Sequence, residues 1–396
     1  MIDLLRSIGL YGWRQKESTI LCALLADYPI MFYGSHGQGK TVSAEVIARS
    51  YLGKDIVFQP HDYSRMSKEE LVGVLDPKGL QRGELRWIPT PTSVWGADAM
   101  LFDEFTFGNI MMGSMVHELL THKTVMGQKT KVQLAMAACN PPDAYQANYI
   151  NLATCSRFIL VQVPSYQDIE IDDSRKVLRE EDAQFKTPPP VIKKLVTAAN
   201  ARDVTTADHT FAEKVVSAAR SVLGRFVPIR YSTRQEKMLY RLCLALRKLD
   251  HVDYSVNLIS DTLSLIVSTV PELSPLVALS HPLQAEAVLG QIKQALLDAF
   301  KGANLLSLVE QERITDQHGW AYEVFENAMN ADAQELKKAL SFLSRRKDVS
   351  PDIFNILFCQ LMKLYAPEIS MPMDTANMKV SVKNFKHVIY HIANSN

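Results

Sequence analysis

The 396-residue sequence predicts an α/β fold with a parallel-sheet core over residues 1–165, an all-α region over 166–280 and an additional all-α C-terminal region over 281–396. Three observations predict it. Between residues 15 and 165, apolar runs of strand length alternate with segments of 3.6-residue periodicity, the pattern of a parallel sheet covered by helices. The first of those runs leads straight into PIMFYGSHGQGKT (29–41), a glycine-rich turn that opens a helix. Beyond residue 165 the strand signals stop, TPPP (187–190) breaks the chain, and only helical periodicity remains.

In chain order, QKESTILCALLAD (15–27) reads as an amphipathic helix feeding the first core strand. The turn that follows is G-x-x-x-x-G-K-T, carried by Gly34, Gly39, Lys40 and Thr41 with a further glycine at Gly37. Glycines let successive backbone N–H groups converge on one anion, and the N-terminus of the next helix adds partial positive charge. Lys40 would reach the β- and γ-phosphates of a nucleotide, and the Thr41 hydroxyl would hold Mg²⁺. Ser35, His36, Gln38 and Val42 complete the loop. His36 reads as a solvent-facing member of it. Val42, Val46, Ile47 and Tyr51 share one face of the helix.

DIVFQP (55–60) is the second strand candidate, SKEELVG a short helix, and GLQRGELRWIPTPTSVW a hairpin-like excursion. AMLFDE (99–104) is an apolar strand ending in Asp103 and Glu104, outside the C-terminal ends of the strands, where ligands of parallel α/β proteins sit. Met112, Met115, Val116, Leu119 and Leu120 form a helical core stripe. KTVMGQKTKVQLAMAAC (123–139) holds a turn at Gly127–Gln128 and then a buried strand ending at Asn140. FILVQV (158–163), the last core strand, follows Arg157. Helices are expected over 232–248, with Ser232, Thr233 and Arg234 at the start, and over 253–267, 283–301, 332–345 and 351–365.

Composition narrows the function classes. Hydrophobic residues make up 47% and charged residues 22%, enough for large cores. Lys+Arg and Asp+Glu balance at 43 each, so global charge gives no drive toward nucleic acid or a membrane surface. Cys22, Cys139, Cys155, Cys243 and Cys359 lack C-x-x-C spacing and read as reduced, mostly buried thiols. With no signal-peptide pattern and no apolar run of spanning length, a cytoplasmic, soluble protein is expected.

A nucleotide-hydrolysing site needs a metal holder, a group that activates water, a sensor of the γ-phosphate and positive charge for the transition state. Asp103 with Thr41 would hold Mg²⁺, Glu104 would polarise the attacking water, and Asn140 would orient it. Taken alone, Glu104 also reads as a solvated carboxylate and Asn140 as a turn residue before Pro141–Pro142.

GLYGWRQKESTILCALLADYPIMFYGSHGQGKT, HDYSRMSKEELVGVLDP, GELRWIPTP, LFDEF, MAACNPPDAY, CSRF and STR together resemble the AAA+ ATPases. Within them they resemble the MoxR family, in the clade with a helix-2 insert and a hairpin before the first sensor. The likeness covers roughly residues 5–275. It implies an ATPase using ATP and Mg²⁺, an α-helical lid over 166–280, and a ring, most simply a hexamer, with its sites between subunits. It further implies that Tyr11 and Gly12 line the adenine pocket, that Arg157 is an arginine finger reaching a neighbour's ATP, and that Arg234 contacts the γ-phosphate from the lid. Such rings remodel or mature client proteins, often beside a protein with a von Willebrand factor A domain. Ser156 stands where the family carries Asp, and YQANYINLAT lacks the expected acids, which keeps a salt-bridging surface arginine open as the reading of Arg157. Residues 280–396 match no motif.

Two other readings remain. A nucleic-acid motor would use Lys123, Lys129 and Lys131 on the hairpin. A nucleotide-gated scaffold would use the unmatched helical tail. His387 and His391, four apart on an expected helix, read as ordinary surface histidines, and His117 and His122 would not share a face. Phe105 and Phe107 are expected to pack, while Trp87 and Trp95 could line a pore or partner surface.

Overall fold

The computed structural model describes residues 4–107, 110–142, 148–178, 188–226, 229–252, 254, 256–279, 283–300 and 336. The chain divides into two compact units, residues 1–256 with 260–292, and 257–259 with 293–396. The expected helices at 332–345 and 351–365, together with Cys359, His387 and His391, lie outside the described residues apart from Leu336, which is helical and buried.

The first unit is built on five strands: β1 (Ile30–Tyr33), β2 (Phe58–Asp62), β5 (Ala99–Asp103), β8 (Leu134–Cys139) and β9 (Ile159–Gln162). They lie in the order β2-β5-β8-β1-β9, and every pairing is parallel. β5 and β8 are buried along almost their whole length, because a parallel sheet covered on both faces has no wet side. β2 begins three residues later than expected: the Asp98 carboxylate takes the Val57 N–H at 2.8 Å, and pairing with β5 starts at Phe58. Its Pro60 is tolerated because β2 is an edge strand.

Helix α1 (Glu17–Leu25) precedes β1 and is two residues shorter at each end than its apolar pattern. Asp27 in a left-handed conformation (φ 54°) turns the chain into the strand. α2 (Lys40–Leu52) buries Val46 and Ile47, but Val42 is 49% exposed because the first turn projects beyond the sheet edge. α3 (Lys68–Val72) carries a Ser67–Glu70 capping box. The hairpin-like excursion is β3 (Val74–Leu75) paired antiparallel with β4 (Trp87–Ile88) around α4 (Pro77–Gln81). Trp95 donates its indole N–H to Val72 O at 2.7 Å, and Lys68 lies over the Trp87 ring.

After β5, Phe105 stacks on Tyr63, whereas Phe107 is 38% exposed and does not pack as expected. α5 (Ile110–His122) buries Met112, Val116, Leu119 and Leu120, with Met115 partly covered. β6 (Thr124–Val125) and β7 (Gln128–Lys129) turn at Met126–Gly127, one residue earlier than the sequence pattern suggests. Both turn residues have positive φ, as a two-residue hairpin turn requires.

α6 (Leu152–Cys155) leads to β9, and α7 (Ile171–Leu178) follows it. The helical part comprises α8 (Val191–Asn200), α9 (Thr206–Leu223), α10 (Thr233–Asp250), α11 (Leu258–Thr269) and α12 (Ala285–Ala299). α10 is capped by Ser232 and Gln235 where a helix start was expected, but α11 begins five residues later than its pattern. Cys22, Cys139, Cys155 and Cys243 are free and buried. Among the described residues no helix is long and apolar enough to cross a membrane.

Candidate functional site

Register places the chemistry. Tyr33 pairs with Cys139 and Asp62 with Asp103, so the loop after β1, Asn140 after β8 and the acids at the end of β5 emerge from one edge of the sheet. The loop amide of Gly34 donates to Cys139 O at 3.3 Å, tying the two strand ends together.

Lys40, only 8% exposed, points its ammonium at acceptors that include Gly34 O at 3.0 Å, Ser35 O at 2.9 Å and Asn140 Oδ1 at 2.8 Å. The fully buried Asn140 donates Nδ2 to Glu104 Oε2 at 3.1 Å and faces His36 Nε2 at 3.4 Å. Thr41 donates its hydroxyl to Asp103 Oδ2 at 2.6 Å, and Asp103 Oδ1 accepts the Glu104 N–H at 2.9 Å. Glu104 has φ 52°, a left-handed conformation that costs a side-chain-bearing residue about 1–2 kcal/mol and is found where neighbours over-determine it.

These residues fit a nucleotide and a hard divalent cation. Gly37 (φ 73°) and Gly39 (φ 71°) adopt left-handed conformations beside open space, so the loop surface is bare backbone there. α2 starts from Gly39 without a side-chain cap, leaving its first-turn N–H groups to an incoming anion. Gln38 Oε1 is buried without a hydrogen-bond partner and lies where a Cβ on Gly34 would clash. The hydroxyl of Thr41 and the carboxylate of Asp103 are the oxygen donors that Mg²⁺ takes.

Tyr11 is buried, and Gly12 (φ 79°) packs so closely that a Cβ would lie 3.1 Å from Pro164 Cβ and 3.2 Å from Ile169 Cγ1. This contact belongs to the segment after β9. Ser35 and His36 are exposed, and Gln38 is half-buried.

Arg157 and Arg234 act electrostatically on each other and on His117. Arg157 donates to Ala153 O. Burial, and then the charge of Arg234, draws Arg157 below the ordinary arginine range. His117 is lowered by burial, then by Arg157 and Arg234, and its Nε2 meets Thr154 Oγ1 at 2.7 Å. The two arginines therefore lie within electrostatic reach of each other. The approach to α10 is held by Glu272, which accepts the Arg230 N–H at 2.8 Å. The contacts His117–Thr154 and Glu272–Arg230 were not legible in the sequence, because the partners are 37 and 42 residues apart and no spacing rule spans such gaps.

No protein-family model matches the chain, and no curated protein matches it. Among solved structures, it is similar to a proposed ATPase from Cytophaga hutchinsonii: 17% identity, TM-score 0.54, over 75% of this chain and 93% of the other. It also aligns with NtrX from Brucella abortus in complex with ADP (13% identity, TM-score 0.30, 96% of this chain and 68% of that one). NtrX in complex with ATP aligns at 13% identity and TM-score 0.28, over 89% and 67%. The strand order and the helical region that follows give the chain an α/β fold, a five-stranded parallel sheet followed by helices, that it shares with the Cytophaga hutchinsonii structure.

Proposed function

We propose that the chain is a MoxR-like AAA+ ATPase that hydrolyses ATP in a ring, most simply a hexamer, to remodel, mature or assemble a client protein. The observation that carries this reading is the continuous set of contacts from Lys40 through Asn140 to Glu104, beside Thr41 and Asp103, at the sheet edge. Under this proposal, the amides of the 34–42 loop and Lys40 bind the phosphates. Tyr11 and Gly12 border the base. Asn140 holds the attacking water, and Glu104 takes up its proton. Mg²⁺ held by Thr41 and Asp103 would neutralise charge on the β- and γ-phosphate oxygens.

Arg157 and Arg234 are assigned to the neighbouring copy's site. After burial, the charge of Arg234 disfavours the charged form of Arg157, and an approaching triphosphate relieves that repulsion. Their proximity supports delivery as a pair. Residues 166–280 are assigned as the lid and 281–396 as an extension, and the client and any von Willebrand factor A domain partner belong to the same proposal.

The test is ATP turnover with Mg²⁺, measured together with particle mass, on the wild type and on Glu104→Gln. A wild-type ring that hydrolyses ATP and a mutant ring that binds but does not hydrolyse it support the reading. A wild-type ring with full nucleotide occupancy and no turnover would sink it.

A further inference from the structure

The neighbours of Asn140 dictate which way its carboxamide faces. A lysine ammonium can only donate, so the atom 2.8 Å from Lys40 Nζ is Oδ1. A carboxylate accepts, so the atom 3.1 Å from Glu104 Oε2 is Nδ2. The amide cannot be flipped without losing both contacts. Nδ2 then has one proton left, and His36 Nε2 faces it at 3.4 Å. His36 Nε2 must accept, which puts the imidazole proton on Nδ1.

We propose that His36 is a positioning residue for hydrolysis. By taking the second Nδ2 proton it fixes the Asn140 carboxamide from a third side, and through Asn140 it fixes the Glu104 carboxylate. This inference rests on the reading of Glu104 as the group that takes up the water's proton. The contact is long and contributes little energy alone. Its effect is directional, because Lys40 and Glu104 leave the amide plane free to rock about the line joining them and His36 opposes that motion. Catalytic hydrogen bonds of this length commonly shorten once substrate is bound. A loop residue that looks solvent-facing in the sequence is thereby joined to the group that performs the chemistry.

The tautomer can be read without any turnover. Long-range ¹H–¹⁵N spectra of the full chain, with His36→Gln to assign the signals, should show His36 protonated at Nδ1 and bare at Nε2. Asn140→Ala should return it toward the Nε2–H form. An Nε2–H tautomer in the wild type overturns the proposal whether or not the protein hydrolyses ATP.

Kinetics give the second readout. His36→Ala should lower kcat roughly ten- to a hundredfold, the scale expected when a catalytic group is misplaced by a fraction of an ångström. KM should stay within about threefold. His36→Gln, whose Oε1 can accept the same proton, should recover most of the rate. Equal kcat for His36→Ala and wild type, or no rescue by Gln, overturns the positioning role. A wild type that never turns over ATP sinks the reading of Glu104, while the tautomer separately reports on the contact.

Discussion

At the scale of single residues, the site gathers groups that are costly to place and cheap to disrupt. Asn140→Ala removes a side-chain acceptor of a buried ammonium, so chemical denaturation should report a loss of about 1–3 kcal/mol alongside lost turnover. Two histidines supply a pH signature. Burial is the leading cause that draws both His61 and His117 below 6.5. Below that pH the unfolded chain binds protons that the folded chain resists, so stability rises with pH through the window under 6.5. Denaturation midpoints should be lower at about pH 5.5 than at about pH 7.5, and a His61→Gln, His117→Gln double variant should narrow the gap. Lys40, Thr41, Asp103, Glu104 and Asn140 were legible in the sequence because each is adjacent to an apolar strand or a glycine turn that fixes its place. The bonds His117–Thr154 and Glu272–Arg230 were not, because they form only when separate elements pack.

At the scale of elements, the helical part is organised by a buried carboxylate. Asp208, 1% exposed near the start of α9, accepts from Thr205 and pairs with Arg247 at 2.9 Å and His251 at 3.2 Å near the end of α10. Burial alone would raise its pKa, but these donors outweigh it and hold the carboxyl well below the usual range. Asp208→Asn should cost about 2–4 kcal/mol, because it leaves His251 without its anion and takes from the partly buried Arg247 one of its two, with Asp250 remaining. Thermal or chemical unfolding measures that loss. Ser232→Ala removes the cap of the helix whose first turn carries Arg234, and should cost about 1 kcal/mol. All five core strands and most described helices were legible from periodicity. Their ends were less so: Asp98 delays β2, and Gly127 sets the hairpin turn, through contacts that no single-segment pattern contains.

At the scale of the whole molecule, one copy carries the phosphate loop and the acids, and also Arg157 and Arg234, which we assign to the neighbouring copy's site. Within our account those two sets of residues meet only between copies, so a mutation on one side should be complemented by a mutation on the other. The most direct measurement mixes Glu104→Gln with an Arg157→Ala, Arg234→Ala variant and follows ATP turnover. Each variant alone should be silent. The mixture should recover activity at up to roughly a quarter of its interfaces, those where an intact acid meets an intact arginine pair by random assembly. A mixture as silent as its components despite subunit exchange, or an arginine variant as active as wild type, would contradict a shared site.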